Sequence, residues 1–371
     1  MQLADWLWFT LFNCTRVFID SGSGTQAGEP HDTQHDETKN RSSSTKASFF
    51  YCTRVFIIAA LALLYSADLL ASGWTEGGKT VIIFNCGYAD FPVVPRPQSD
   101  ADNLFKIGQS GGIDEFFRRN SYDKMWITSV KLVNVTLPNN FNYYKAPYGF
   151  MSVPFDAWNS SGESGYYNFE VYVAPGSMNS TGLAYVGGTT TFYNGWPGSG
   201  TLAHEMGHNL GLDHANFWQS DDGTVLGGHS VEYFGGYYDN MGSTALFDWN
   251  TCLKEKLDWV KTGRTDGTKI LNVTSSGTYQ IYCHDSITAS PANSQRAIKI
   301  MKKDNPGTDE YYYIDYRQVQ HSDKFFSWNG IHLNITDMEK AGSALLDMNP
   351  LTPPPTDERW DAPLLIGRTY S

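Results

Sequence analysis

The chain has 371 residues, and its 27 Lys plus Arg against 39 Asp plus Glu give a formal net charge of −12. That sign speaks against general nucleic-acid binding, because a phosphate backbone attracts the opposite charge. Hydrophobic residues at 41% and aromatics at 15% suffice for a buried core, and length alone gives a prior of two or three domains. With 35 Gly, 22 Tyr, 11 Trp and only 18% charged residues, the composition excludes coiled coils and favours Gly-turned, aromatic-rich β structure with some helix.

Residues 1–72 differ from the rest. From Asp20 to Ser48 there is no Val, Ile, Leu, Met, Phe, Trp or Tyr, so this stretch has no apolar surface to offset its ordering entropy and is expected to be disordered. Arg54, the apolar run Val55 to Tyr65 and the small residues that follow to Ser72 have the grammar of a signal peptide. A signal anchor over Val55 to Ala71 is the alternative, at the cost of placing Asp68 in lipid. The string Cys14 to Ile19 recurs as Cys52 to Ile57, a repeat confined to the leader that carries no solenoid signal. Five Asn-x-Ser/Thr sites follow, at Asn134, Asn159, Asn179, Asn272 and Asn334, and they agree with export. The three cysteines beyond the leader, Cys86, Cys252 and Cys283, allow one internal disulfide at most, so this is no disulfide scaffold.

In chain order, β runs are predicted at Lys79 to Cys86, Lys124 to Leu137, Tyr167 to Ala174 and Leu183 to Tyr193, with a helix at Ile113 to Arg119. Pro197, Gly198 and Ser199 then form a turn with an N-cap candidate ahead of His-Glu-Met-Gly-His-Asn-Leu-Gly-Leu-Asp-His, residues 204 to 214. On a helix, positions i and i+4 share one face, so His204 and His208 can present two imidazoles to one metal ion, with Glu205 beside them. Gly211 permits the backbone turn that brings in His214 as a third ligand. Three protein ligands leave an open fourth position, the mark of a catalytic zinc site rather than a structural one.

This HExxHxxGxxH string resembles that of the metzincin zinc endopeptidases, in which a tight turn carries a Met beneath the metal. Tyr238-Asp239-Asn240-Met241-Gly242 is similar to that Met-turn, with Met241 27 residues after His214. Within the metzincins the chain most resembles the gametolysin family. The similar stretches are Gly182 to Gly188, the zinc helix, the Met241-Gly242 turn and Glu310 to Arg317, within a likeness spanning most of residues 79 to 365. No recognisable propeptide separates the leader from the first strand.

The resemblance implies an α+β fold, with a metzincin-like catalytic domain over 73–262: a mixed twisted sheet, an active-site helix and the Met-turn. It also implies that Leu183, Ala184, Tyr185, Val186 and Gly187 form the sheet edge against which an extended substrate pairs, although a plain hairpin fits the same residues. Ala215 to Tyr238 is expected to line the cleft, Asp221-Asp222-Gly223 to be a solvated turn rather than a calcium loop, and His229 a loop histidine. Thr244 to Val260 reads as a helix beneath the site, with Cys252 either paired to Cys283 or buried. Cys86 is open to two readings, a thiol switch on the metal or a structural cysteine.

From 263 to 371 short strands are predicted at Ile270 to Val273, Thr278 to Cys283, Ala297 to Met301, Tyr311 to Arg317 and Ile331 to Ile335, giving a small all-β sandwich-like domain. Its row Tyr311 to Tyr313 suits core packing better than glycan binding, and Pro353 to Pro355 mark a rigid linker. The expected protein is a secreted, monomeric metalloendopeptidase with one Zn2+, Glu205 as general base, and protein or glycoprotein substrates of the extracellular matrix or cell wall. The alternatives are an exported binding protein with an inactive protease domain and a membrane-tethered ectoprotease.

Overall fold

In the run Thr80 to Cys86 nearly every residue is apolar, a pattern that requires cover on both faces of a strand. The computed structural model describes residues 73–232, 234–285, 291–303, 309–318, 330–337, 342–350 and 361–365. It places that run in β1 (Gly77–Gly87), the interior of a five-stranded sheet. β1 is flanked in parallel by β2 (Met125–Thr136) and β3 (Phe169–Val173), and β3 pairs in parallel with β5 (Thr190–Tyr193). The short β4 (Gly182–Ala184) closes the edge antiparallel to β5.

Alternation along β1 assigns its side chains to two cores. Val81 and Ile83 join one cluster with Phe105, Phe116, Phe117, Leu202, Met206, Met241 and Trp249. Ile82, Phe84 and Cys86 join the other with Tyr144, Val153, Tyr172 and Phe192. Helices α1 (Gln98–Phe105) and α2 (Ile113–Ser121) serve the first face, while α3 (Phe141–Lys145) and α4 (Val153–Ser161) serve the second. α4 begins with Pro154 in its first turn and ends at left-handed Gly162, which makes both of its boundaries local. The zinc-motif helix α5 (Ser199–Asn209) lies on the first face, with Leu202, Ala203 and Met206 in that core.

A second, eight-stranded sheet runs β7 (His229–Glu232), β6 (Ala215–Ser220), β12 (Gly342–Leu346), β11 (Gly330–Asp337), β10 (Glu310–Arg317), β9 (Gln295–Lys303), β8 (Lys269–Asn272), with β13 (Leu364–Leu365) beside β11. The strands described after residue 262, where a small β-sandwich is expected, lie in one sheet that also takes up β6 and β7 from before that position. The pairing that joins them is β6 with β12, in parallel, at Ala215 to Ser343 through Trp218 to Leu346. Two mixed sheets and few helices therefore make up the fold. All described residues belong to one unit, Leu63–Ser371.

Other expectations shift in detail. Thr244 to Val260 is helical only at α6 (Thr251–Lys256), because Asn250 caps that helix by accepting from Leu253 N, and because Leu246 and Asp248 are drawn to Arg119 of α2. Thr278 to Cys283 lies outside the strands and attaches through Tyr282 N to Gln295 O. The segment predicted to line the cleft forms β6 and β7. Asp222 accepts from Thr224 N and Gly228 N, the geometry of a closed turn. Tyr313 is buried beside Cys252 with its hydroxyl on Glu255, in accord with core packing. Cys252 and Cys283 are both free thiols. The leader readings and Pro353 to Pro355 lie outside the described residues, as does the His229 side chain. Among the described residues no helix is long and apolar enough to cross a membrane.

Candidate metal centre

α5 carries His204, Glu205 and His208 on consecutive turns, and all three are at least nine-tenths buried. After Asn209 the chain reverses. Gly211 takes a φ of +101°, and Leu212 N donates to Gly207 O, so the chain folds back along the helix and delivers His214 to its partners. The ring centroids of His204 and His208 are 4.8 Å apart, those of His208 and His214 4.8 Å, and those of His204 and His214 5.2 Å. Their candidate ligand atoms all lie within 4.8 Å of one another. Among the described residues this is the one such cluster of His, Cys, Asp or Glu.

The histidines are prepared for a cation. His204 Nδ1 donates to Asn240 O at 2.7 Å and His208 Nδ1 donates to Leu212 O at 2.7 Å. Because a carbonyl can only accept, both rings carry the proton on Nδ1 and keep the Nε2 lone pair, which could bind a metal. Burial is the first cause that keeps the rings neutral, pushing His204 down to about 4 and His214 to about 3, with the neighbouring imidazoles adding to it. His208 is lowered by burial as well. Three neutral imidazoles, two buried and the third half-buried, fit a borderline-soft divalent ion such as zinc.

Burial acts in the opposite sense on Glu205, raising its carboxyl to about 7. The edge strand β4 passes directly over it: a Cβ on Gly182 would meet Glu205 Oε1 at 2.6 Å. Leu183 and Ala184 lie on that edge, whereas Tyr185, Val186 and Gly187 form the β4–β5 turn, with Gly187 at a φ of +72°. This turn is strapped to the end of α5 by Gly187 N to His208 O and by Asn209 Nδ2 to Tyr185 O and Thr190 O.

Met241 is fully buried in the tight turn Asn240–Gly242 beneath α5, so close that a Cβ on Gly207 would sit 2.5 Å from its sulfur. Asp239 caps the turn by accepting from Met241 N at 2.8 Å. The Asn240 side chain clamps it to the helix start by donating to Gly200 O and to Ala245 O. Cys86 stands apart, since its thiol is on the sheet face opposite α5 and donates to Phe84 O, which is the structural reading.

No protein-family model and no curated protein sequence matches the chain. Among solved structures, archaemetzincin from Methanopyrus kandleri is similar at 13% identity and a TM-score of 0.27, over 50% of this chain and 96% of that one. A structure described as a chaperone–substrate complex is similar at 12% identity and a TM-score of 0.23, over 50% of this chain and 36% of the other. Likenesses this faint say nothing about the chemistry of the centre, which stands on its own residues.

Two contributors escaped sequence reasoning. Phe234 packs its ring against His204 at 5.2 Å and His214 at 5.0 Å, forming an apolar wall. Asn240 supplies the carbonyl that orients His204, and its position beside Met241 was the available signal. Phe234 gave none, being one aromatic residue in an aromatic-rich segment.

Proposed function

We propose that the protein is a zinc-dependent endopeptidase, with His204, His208 and His214 as metal ligands and Glu205 as the general base. The carrying observation is three neutral imidazoles side by side, His204 and His208 buried and His214 half-buried, with a carboxylate on the same helix as the first two facing an edge strand. Zinc on three imidazoles supplies a Lewis acid for water and for a scissile carbonyl. Glu205 handles the protons: its carboxylate would accept one from the attacking water and return it to the leaving amine. Asn240 O and Leu212 O keep two ligand rings in register. β4 offers an extended peptide a backbone edge beside that carboxylate, and Gly182 leaves room for close approach.

The resemblance to the gametolysin family extends the proposal to an exported, monomeric enzyme acting on extracellular or cell-wall proteins and glycoproteins. Replacing Glu205 by Gln preserves shape and removes the base. Zymography on a denatured protein is expected to lose at least about a hundredfold in activity, the usual scale of general-base catalysis, while metal content stays at that of the parent. Cleavage by Glu205→Gln at close to the parent rate would remove Glu205 from the mechanism.

A further inference from the structure

We propose that Ser343, on β12 near the other end of the chain, is a positioning residue of the metal centre. The inference rests on His204, His208 and His214 being metal ligands, and it concerns what fixes the first relative to the third.

Strand β12 grips the backbone of His214. Ser343 N donates to His214 O at 3.3 Å, and Gly342 approaches so closely that a Cβ there would lie 2.0 Å from the same oxygen. The Ser343 hydroxyl accepts from Asn250 Nδ2 at 2.8 Å. That amide also donates to Asp239 Oδ2 at 3.0 Å, and Asn250 N donates to the same oxygen at 2.5 Å. Asp239 Oδ1 in turn holds Met241 N, and the carbonyl of the intervening Asn240 orients the His204 ring. Ser343, Asn250, Asp239 and Asn240 are each at most 4% exposed, so water does not substitute for a lost partner.

One buried chain of hydrogen bonds thus runs from the peptide of the third histidine to the imidazole of the first. It passes through a strand that pairs beside the centre while lying over a hundred positions later in sequence. Removing the Ser343 hydroxyl strands one N–H of Asn250 and uncouples the Met241 turn from the His214 backbone. Outer partners of metal ligands act through such orientation, and their loss weakens metal binding by roughly tenfold or more.

The test is metal titration of the full chain with Zn2+, and with Co2+ for its geometry-sensitive visible spectrum, comparing the parent with Ser343→Ala and Leu346→Val. Leu346 is fully buried on the same strand but faces a different cluster, with Val225 and Ile335, so its truncation loosens β12 without touching the chain of bonds. The expected result is roughly tenfold weaker metal binding and an altered Co2+ spectrum for Ser343→Ala, with parent-like values for Leu346→Val. Equal affinity and spectrum in parent and Ser343→Ala overturns the positioning role while leaving the metal site intact. Equal weakening by Leu346→Val also overturns it, since strand packing alone then suffices. A parent that binds neither metal overturns the metal site itself and the inference with it. Should Ser343→Ala not fold, Asn250→Ser keeps a helix-capping oxygen while removing the Nδ2 donor, and the same outcomes apply.

Discussion

At the scale of single residues, the site sets opposite burial effects side by side. Glu205 has its carboxyl raised from an ordinary 4.5 to about 7, so the folded metal-free chain holds a proton that the unfolded chain has lost between those values. Stability from this group is therefore present below pH 4.5 and lost as pH rises through about 7. Metal-free Glu205→Gln is expected to be more stable than the metal-free parent at pH 8 by about 1–3 kcal/mol, and to converge on it near pH 5, as read from urea midpoints. The histidines run the other way. With His204 lowered to about 4 and His214 to about 3, the unfolded chain binds protons first, and their stability contribution, full above pH 6.5, is lost as pH falls toward those values. Bound metal is expected to release on the same acid limb, because only neutral imidazole ligates. Metal retained fully at pH 4 would contradict the histidine assignment.

At the scale of elements, helix α5 and its turn were legible because their signals are local. A fixed His spacing, a Gly for the reversal and a Met-Gly pair downstream mark the helix, the reversal and the tight turn without any tertiary information. The β1 run was legible for a similar reason, since only a strand covered on both faces tolerates so continuous an apolar stretch. Helices α1, α3 and α4 went unpredicted because their patterns are short, at eight, five and nine residues, and α1 also starts at Pro97 with no side-chain cap. The helix expected over Thr244 to Val260 shrank to α6 because Asn250 serves as its cap and a buried ion pair, Arg119 with Asp248 at 2.6 Å, holds the preceding residues extended. Close packing between elements gives a direct test. Gly342→Ala would place a methyl against His214 O, where backbone must move, and is expected to lower stability by about 1–3 kcal/mol and to weaken metal binding. An unchanged urea midpoint would contradict the close approach of β12 to His214.

For the whole molecule, the sheet shared across residue 262 was invisible in sequence, because pairing between distant strands leaves no local trace. Ala215–Ser220 reads as cleft lining until its parallel partner Gly342–Leu346 is known. The second sheet also reaches into the turn under the metal centre, with Arg317 of β10 donating to Tyr238 O and to Asp248 O. Residues 73–262 produced alone are therefore expected not to fold cooperatively, whereas 73–371 should melt in one transition. A sharp thermal transition from the shorter fragment would restore an independent first domain. Among the sequons, Asn334 is buried in β11 and the Asn134 amide donates to Arg96 O, so both are committed to the fold.

The reading as a whole stands on metal-dependent peptide-bond cleavage by this chain. Purified full-length protein should carry one zinc per chain and generate new peptide termini from a denatured protein substrate, detected by mass spectrometry. A chelator should stop that cleavage and added zinc should restore it. Cleavage that persists after complete metal removal, or a fully zinc-loaded chain that cuts no peptide bond, would contradict it.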